Sequence, residues 1–141
     1  MIIGKRSLTT THLKHWVSIQ GVSGKTLFDR YKLAESSIIN KYIIPEYQNF
    51  LSEPIKKKDG EISFWGVKNN EKPRILCDLH GEDLDNYTKL LENTVSHYKS
   101  VINKLKNNGE IDDYNFLNRA IKFINKEFVF CFDNIVVLGV W

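Results

Sequence analysis

The stretch from residue 82 to residue 107 constrains the fold most, because it holds the longest regular hydrophobic pattern in the chain. Its apolar and small side chains recur in steps of three and four, which is the spacing of one helix face. Acidic residues in the first turn and lysines in the last suit the helix dipole, and Gly109 is a natural stop. The pattern predicts an amphipathic helix over about 83–107. The face consists of Leu84, Tyr87, Leu91, Thr94, Tyr98, Val101 and Leu105.

This helix face has two interpretations. A heptad-like seam is typical of a coiled coil with a partner chain. Leu90, Val95 and Ile102 widen the face beyond a seam, which favours packing on the chain's own sheet. Both interpretations stay open at the level of the sequence.

The remaining patterns put helices and strands in separate stretches. We predict an N-terminal helical pair over about 10–52, with Thr9, Thr10 and Thr11 as cap candidates after a short lead. Short antiparallel strands follow over about 55–77, a second amphipathic helix over about 113–125 and a β-hairpin over 127–141. Two-residue turns at Asp59-Gly60 and Asp133-Asn134 imply antiparallel pairing. The fold class is therefore α+β. We expect a single domain over 1–141, helical over 1–53 and sheet-and-helix over 54–141.

Length and composition exclude several classes of protein. A chain of 141 residues with 42% hydrophobic and 26% charged residues suits one globular domain with a proper core. Its net charge of +3 does not by itself imply a polyanionic partner. No apolar run suggests a membrane span, and Cys77 and Cys131 belong to no cysteine framework. We expect a cytoplasmic protein with reduced thiols and no membrane partner.

The segment over residues 21–28, Gly-Val-Ser-Gly-Lys-Thr-Leu-Phe, invites a phosphate-loop interpretation. Such a loop needs a first glycine five positions before Gly24, and position 19 is Ile. A buried strand should also precede the loop, whereas residues 11–20 have helical spacing. We therefore expect no bound nucleotide and no cofactor.

The same segment offers a helix-turn-helix. Gly21 makes the turn, Ser23 caps the next helix, and Thr26-Leu27-Phe28 follows, so residues 11–31 resemble the DNA-reading part of tetracycline-repressor-like regulators. The resemblance covers about twenty residues. It implies that Lys25, Thr26 and Arg30 contact DNA. The alternative interpretation is a capped turn that only sets the angle between two structural helices.

Two other groups of residues could form a metal site or a catalytic site. His12 and His15, with Cys77 and His80, could supply four tetrahedral zinc ligands. Cys77 beside His80 could also form a thiol enzyme, although no local signature surrounds the cysteine. The alternative interpretation is that these four residues are unrelated side chains, packed or exposed. We therefore assign no metal site and no catalytic residue.

The leading functional hypothesis is a non-enzymatic interaction module, a small cytosolic subunit or adaptor of a larger assembly. The heptad-like face and an apolar last strand without a polar tail motivate it. Trp65, Tyr98 and Trp141 are the candidate interaction residues, because aromatic side chains anchor interfaces. Another protein or a second copy is the expected partner. Nucleic acid is the alternative partner.

Overall fold

A computed structural model describes residues 5–12, 27–56, 61–67, 71–122, 124–139 and 141. The helices are α1 (Leu27–Ala34), α2 (Asn40–Tyr42), α3 (Gly81–Asn107) and α4 (Ile111–Lys122), with a π-helical turn at Glu35–Ile39 between α1 and α2. Short 3₁₀ turns lie at Pro45–Tyr47, Leu76–Asp78 and Lys126–Phe128. The strands are β1 (Lys5–His12), β2 (Glu53–Lys56), β3 (Glu61–Val67), β4 (Arg74–Ile75), β5 (Val129–Phe132) and β6 (Ile135–Leu138).

The predicted α+β fold class is confirmed. The described strands form two antiparallel three-stranded sheets, in the orders β1-β3-β2 and β4-β5-β6. The antiparallel pairing of β2 with β3 is confirmed, but its register is not the one that a two-residue turn at Asp59-Gly60 gives, since Lys56 pairs with Ile62 and not with Ser63. Asp59 and Gly60 themselves lie outside the described residues. The single-domain organisation over 1–141 stays a prediction.

The prediction that the first helix begins at about residue 10 is wrong. Residues 10–12 belong to β1, which pairs antiparallel with β3 from Lys5↔Val67 to His12↔Glu61. The threonines that were interpreted as helix caps are β-branched, and β-branched residues fit the pleated surface of a sheet. The rest of that predicted helix, over 13–20, lies outside the described residues.

The second predicted helix is confirmed from Leu27 onward, although a π-helical turn interrupts it. Ala34, Ile38 and Ile39 are buried along one face of this run. Pro45 ends the helical run and occupies the first turn of a 3₁₀ helix, where its missing amide costs nothing.

The long α3 packs its predicted face into the chain's own core. Tyr87, Leu91, Thr94, Tyr98, Val101, Ile102 and Leu105 are buried. Helix α4 buries Phe116, Leu117, Ala120 and Ile121 in the same core. The interpretation of the α3 face as intramolecular packing is therefore confirmed.

The terminal hairpin is also confirmed, with its apolar last strand covered by the chain itself. Asp133 and Asn134 have the positive φ angles, 46° and 59°, that a tight two-residue turn requires. The outer edge of β6 is capped by residues 50–52, since the Leu138 amide donates to the Phe50 carbonyl and the Ser52 amide donates to the Leu138 carbonyl. Among the described helices, none combines the length and apolarity that crossing a bilayer requires.

Candidate functional site

A concave surface lies between α3 and α4. A three-residue connection joins the two helices, so they form an antiparallel helical hairpin. Gly109, with φ of 75°, makes the turn, and the Glu110 amide donates to the Leu105 carbonyl across it (3.0 Å). This geometry is the helix ending that glycine favours. The groove along the hairpin has a volume of about 520 Å³.

Both walls of the groove come from helix faces with the same spacing. Residues 95, 99, 102, 103 and 106 lie along one face of α3, and residues 114, 118, 121 and 122 lie along one face of α4. We call this surface the lysine groove; its lining is Val95, Lys99, Ile102, Asn103, Lys106, Tyr114, Asn118, Ile121, Lys122 and Ile124.

The lysine groove has an apolar floor and a cationic rim. Ile102 and Ile121 are buried at its base, while Lys99, Lys106 and Lys122 are exposed. The Asn103 and Asn118 amides and the Tyr114 phenol add hydrogen-bonding groups. No carboxylate occurs among the described residues that line the groove. The groove therefore concentrates positive charge above an apolar surface.

Two of these lysines are available to an external anion. Lys99 and Lys106 form no ion pair with any residue that the structure describes. A carboxylate brought between them would gain charge-assisted hydrogen bonds. Ile102 and Ile121 would contact an apolar side chain next to that carboxylate. The arrangement suits binding of an anion that also carries apolar atoms.

The described lining of the groove contains no thiol, imidazole or carboxylate. Its titratable side chains, within the described lining, are three lysines and one tyrosine. A nucleophilic mechanism needs a nucleophile within hydrogen-bond reach of a base. No such pair that involves a thiol or an imidazole occurs in the described lining.

Tyr98 and Trp141, two of the candidate interaction residues, lie inside the chain. The Tyr98 side chain is 0% exposed, its hydroxyl donates to the Tyr47 carbonyl (2.7 Å), and burial raises its pKa. Trp141 is 8% exposed, and its indole Nε1–H donates to the Ser52 carbonyl (2.9 Å). Both rings stabilise the core and are not presented to a partner. Trp65 belongs to β3, and its side chain lies outside the described set.

The DNA-contact candidates fall mostly outside the described residues. Lys25 and Thr26 lie there, as does the turn beginning at Gly21. Arg30 belongs to α1, with no described side-chain geometry. Since β1 runs to His12, a strand occupies the position at which the first helix of the pair was expected to begin.

Of the four metal and thiol candidates, the structure describes the side chains of Cys77 and His80 only. Cys77 and His80 are exposed at the 3₁₀ turn before α3, and no hydrogen bond joins their side chains within the described structure. His12 lies in β1 and His15 lies outside the described residues. The described part of the chain contains no cluster of three or more His, Cys, Asp or Glu side chains able to hold a metal ion.

The two cysteines differ in accessibility. Cys77 is an exposed free thiol, whereas Cys131 is a buried free thiol in β5. Burial raises the pKa of the Cys131 thiol to about 12, so it stays protonated at neutral pH. Cys131 is therefore a packed core residue.

Sequence patterns missed the lysine groove because its two walls lie on different helices. Lys99 and Lys106 are seven residues apart, and Asn118 and Lys122 are four apart, so each pair shares a helix face. That spacing was a usable signal. It could not show that the two faces meet, because the crossing of α3 and α4 depends on the turn and the core.

No protein-family profile, no characterised protein and no solved structure matches this chain.

Proposed function

We propose that this protein is a non-enzymatic interaction module whose lysine groove binds an acidic segment of a partner protein. The observation that carries the proposal is the convergence of Lys99, Lys106 and Lys122 over an apolar floor, without a carboxylate in the described lining. Recognition of acidic peptide motifs by clustered cations, and docking of apolar side chains between helices, are established modes of peptide binding.

The apolar floor favours a peptide over nucleic acid. Single-stranded nucleic acid is bound on several aromatic side chains that stack with successive bases. Tyr114 is the one aromatic residue in the described lining of the groove. Isoleucine and valine side chains, by contrast, match the aliphatic residues of an amphipathic peptide.

The interaction surface proposed here differs from the one expected at first. The heptad-like face of α3 and the apolar edge of β6 are both occupied within the chain. The exposed side of the α3–α4 hairpin takes their place as the partner-binding surface. We also propose a cytoplasmic location, which the two free thiols support.

Fluorescence anisotropy with synthetic peptides tests the proposal. The probes are a labelled amphipathic peptide that contains glutamate and leucine residues, and an analogue of the same length that has lysine in place of each glutamate. We expect the acidic peptide to bind and the basic peptide not to bind. The double variant Lys99→Glu, Lys106→Glu should weaken binding of the acidic peptide at least about tenfold, because each reversed charge then repels the ligand.

Lys89→Glu is the matched control, since Lys89 is exposed on the same helix but does not line the groove. This variant should bind the acidic peptide as the unmodified protein does. Equal loss of peptide binding in both variants would show that net charge alone causes the effect, and that result would overturn the proposal. Tighter binding of duplex or single-stranded DNA than of the acidic peptide would overturn it in favour of the nucleic-acid alternative.

A further inference from the structure

A second surface on the same hairpin is acidic and exposes apolar side chains. It lies where α4 begins beside α1 and forms a shallow depression of about 410 Å³. We call residues 110–113, Glu-Ile-Asp-Asp, the acidic segment. The depression is lined by Leu33, Ser37, Glu110, Ile111, Asp112 and Asp113.

The apolar part of this surface is unusually exposed for this chain. Ile111 is 50% exposed and Leu33 is 41% exposed, and they are two of the three large apolar side chains exposed among the described residues. An exposed apolar pair rimmed by charge is typical of an interaction surface.

The acidic segment is held in a fixed conformation. The Tyr42 hydroxyl donates to Glu110 Oε2 (3.2 Å), and the Ser37 hydroxyl donates to Asp113 Oδ1 (3.3 Å). Gly109 and the first turn of α4 fix its backbone. Such preorganisation lowers the entropy lost when the segment binds.

The acidic segment and the lysine groove are complementary in charge and in apolar character. The segment carries three carboxylates next to an exposed isoleucine, and the groove carries three lysines above an isoleucine floor. Ile111 also lies on the same face of α4 as Tyr114 and Asn118, so the two surfaces are continuous along the outside of the hairpin.

We propose that the partner bound in the lysine groove is a second copy of this chain, which inserts its acidic segment with Ile111 on the apolar floor. This inference rests on the proposed function, because it names the source of the acidic segment. The carboxylates of one copy then lie beside Lys99, Lys106 and Lys122 of the next. The contact surface is small, so association is weak and depends on protein concentration.

Sedimentation velocity of the purified chain over a range of concentrations tests this inference. We expect the weight-average mass to rise above that of the monomer as concentration increases. Ile111→Lys should lower the association constant at least about tenfold, because it removes the apolar contact and brings a cation to the lysines. Ile44→Lys is the matched control, since Ile44 is 39% exposed and lies outside both surfaces.

A mixing experiment separates a specific contact from a folding defect. The variant Lys99→Glu, Lys106→Glu keeps the acidic segment, and the variant Ile111→Lys keeps the groove. Neither should associate alone, whereas their mixture should form heterodimers. The inference would be overturned if the unmodified chain stays monomeric at all concentrations. It would also be overturned if neither variant weakens association. Binding of the acidic peptide by the Ile111→Lys variant would still support the proposed function in that case.

Discussion

At the scale of single residues, the Tyr98 phenol ties the middle of α3 to the 3₁₀ turn at Pro45–Tyr47. Its hydroxyl donates to the Tyr47 carbonyl (2.7 Å), and its ring lies 5.3 Å from the ring of Phe50. The side chain has no contact with solvent. Tyr47 itself is half-buried, so the buried phenol supplies its carbonyl with a hydrogen bond at the margin of the core. The hydroxyl therefore has a structural role, although Tyr98 was a candidate interaction residue.

Tyr98→Phe should destabilise the protein by about 0.5–1.5 kcal/mol, because it removes the hydrogen bond that the fully buried phenol donates to the Tyr47 carbonyl. Urea denaturation followed by circular dichroism measures the change in unfolding free energy. Tyr42→Phe is the control, since the Tyr42 hydroxyl donates to Glu110 from a half-buried position that water can reach. An equal loss in both variants would contradict the assigned role of burial.

At the scale of elements, the turn between α3 and α4 holds the walls of the lysine groove at a fixed angle. The Asn108 amide donates to the Lys104 carbonyl (3.0 Å), and the Gly109 amide donates to the Lys106 carbonyl (3.2 Å). Gly109 has φ of 75°, a left-handed conformation that residues with a Cβ adopt at a cost. A substitution here therefore changes stability through the backbone alone, because nothing lies within 4 Å of an added Cβ.

Gly109→Ala should lower the unfolding free energy by about 1–2 kcal/mol, and Gly109→Asn should cost less because asparagine tolerates the left-handed conformation. Thermal unfolding of the three proteins, analysed at a common temperature, gives the order. A larger loss for asparagine than for alanine would contradict the backbone explanation, since asparagine is the bulkier side chain.

The same elements show what local sequence could predict. The apolar residues spaced three and four apart over 84–105 predict one helix face, and Asp133-Asn134 predicts a tight turn. Both predictions succeed because each pattern lies within the element that it predicts. Strand β1 was missed because threonines suit both a helix cap and a strand, and its pairing with β3 joins residues about fifty positions apart. The lysine groove was missed for the related reason that its walls meet through tertiary packing.

At the scale of the whole molecule, three buried acidic protons link stability to alkaline pH. Burial raises the pKa of Cys131 from 9.0 to about 12 and raises the pKa values of Tyr98 and Tyr31 above 10.0. For Tyr31 the nearby Glu35 and Glu53 carboxylates add to the effect of burial. In each case the folded state keeps a proton that the unfolded chain releases, so unfolding becomes easier as pH rises.

The unfolding free energy should therefore hold below pH 9.0, where the unfolded thiol begins to ionise, and fall as pH rises toward 12. Each group contributes a slope of up to about 1.4 kcal/mol per pH unit once its unfolded form is ionised. Because the thiol has the lower unfolded pKa, Cys131→Ala should remove the first part of the fall and leave the later part, which the tyrosines cause.

Cys77→Ala is the matched control, since that thiol is exposed. Urea denaturation at a series of pH values measures the profile. An unchanged first part in Cys131→Ala would show that other groups control the alkaline transition, and a flat profile would contradict the linkage altogether.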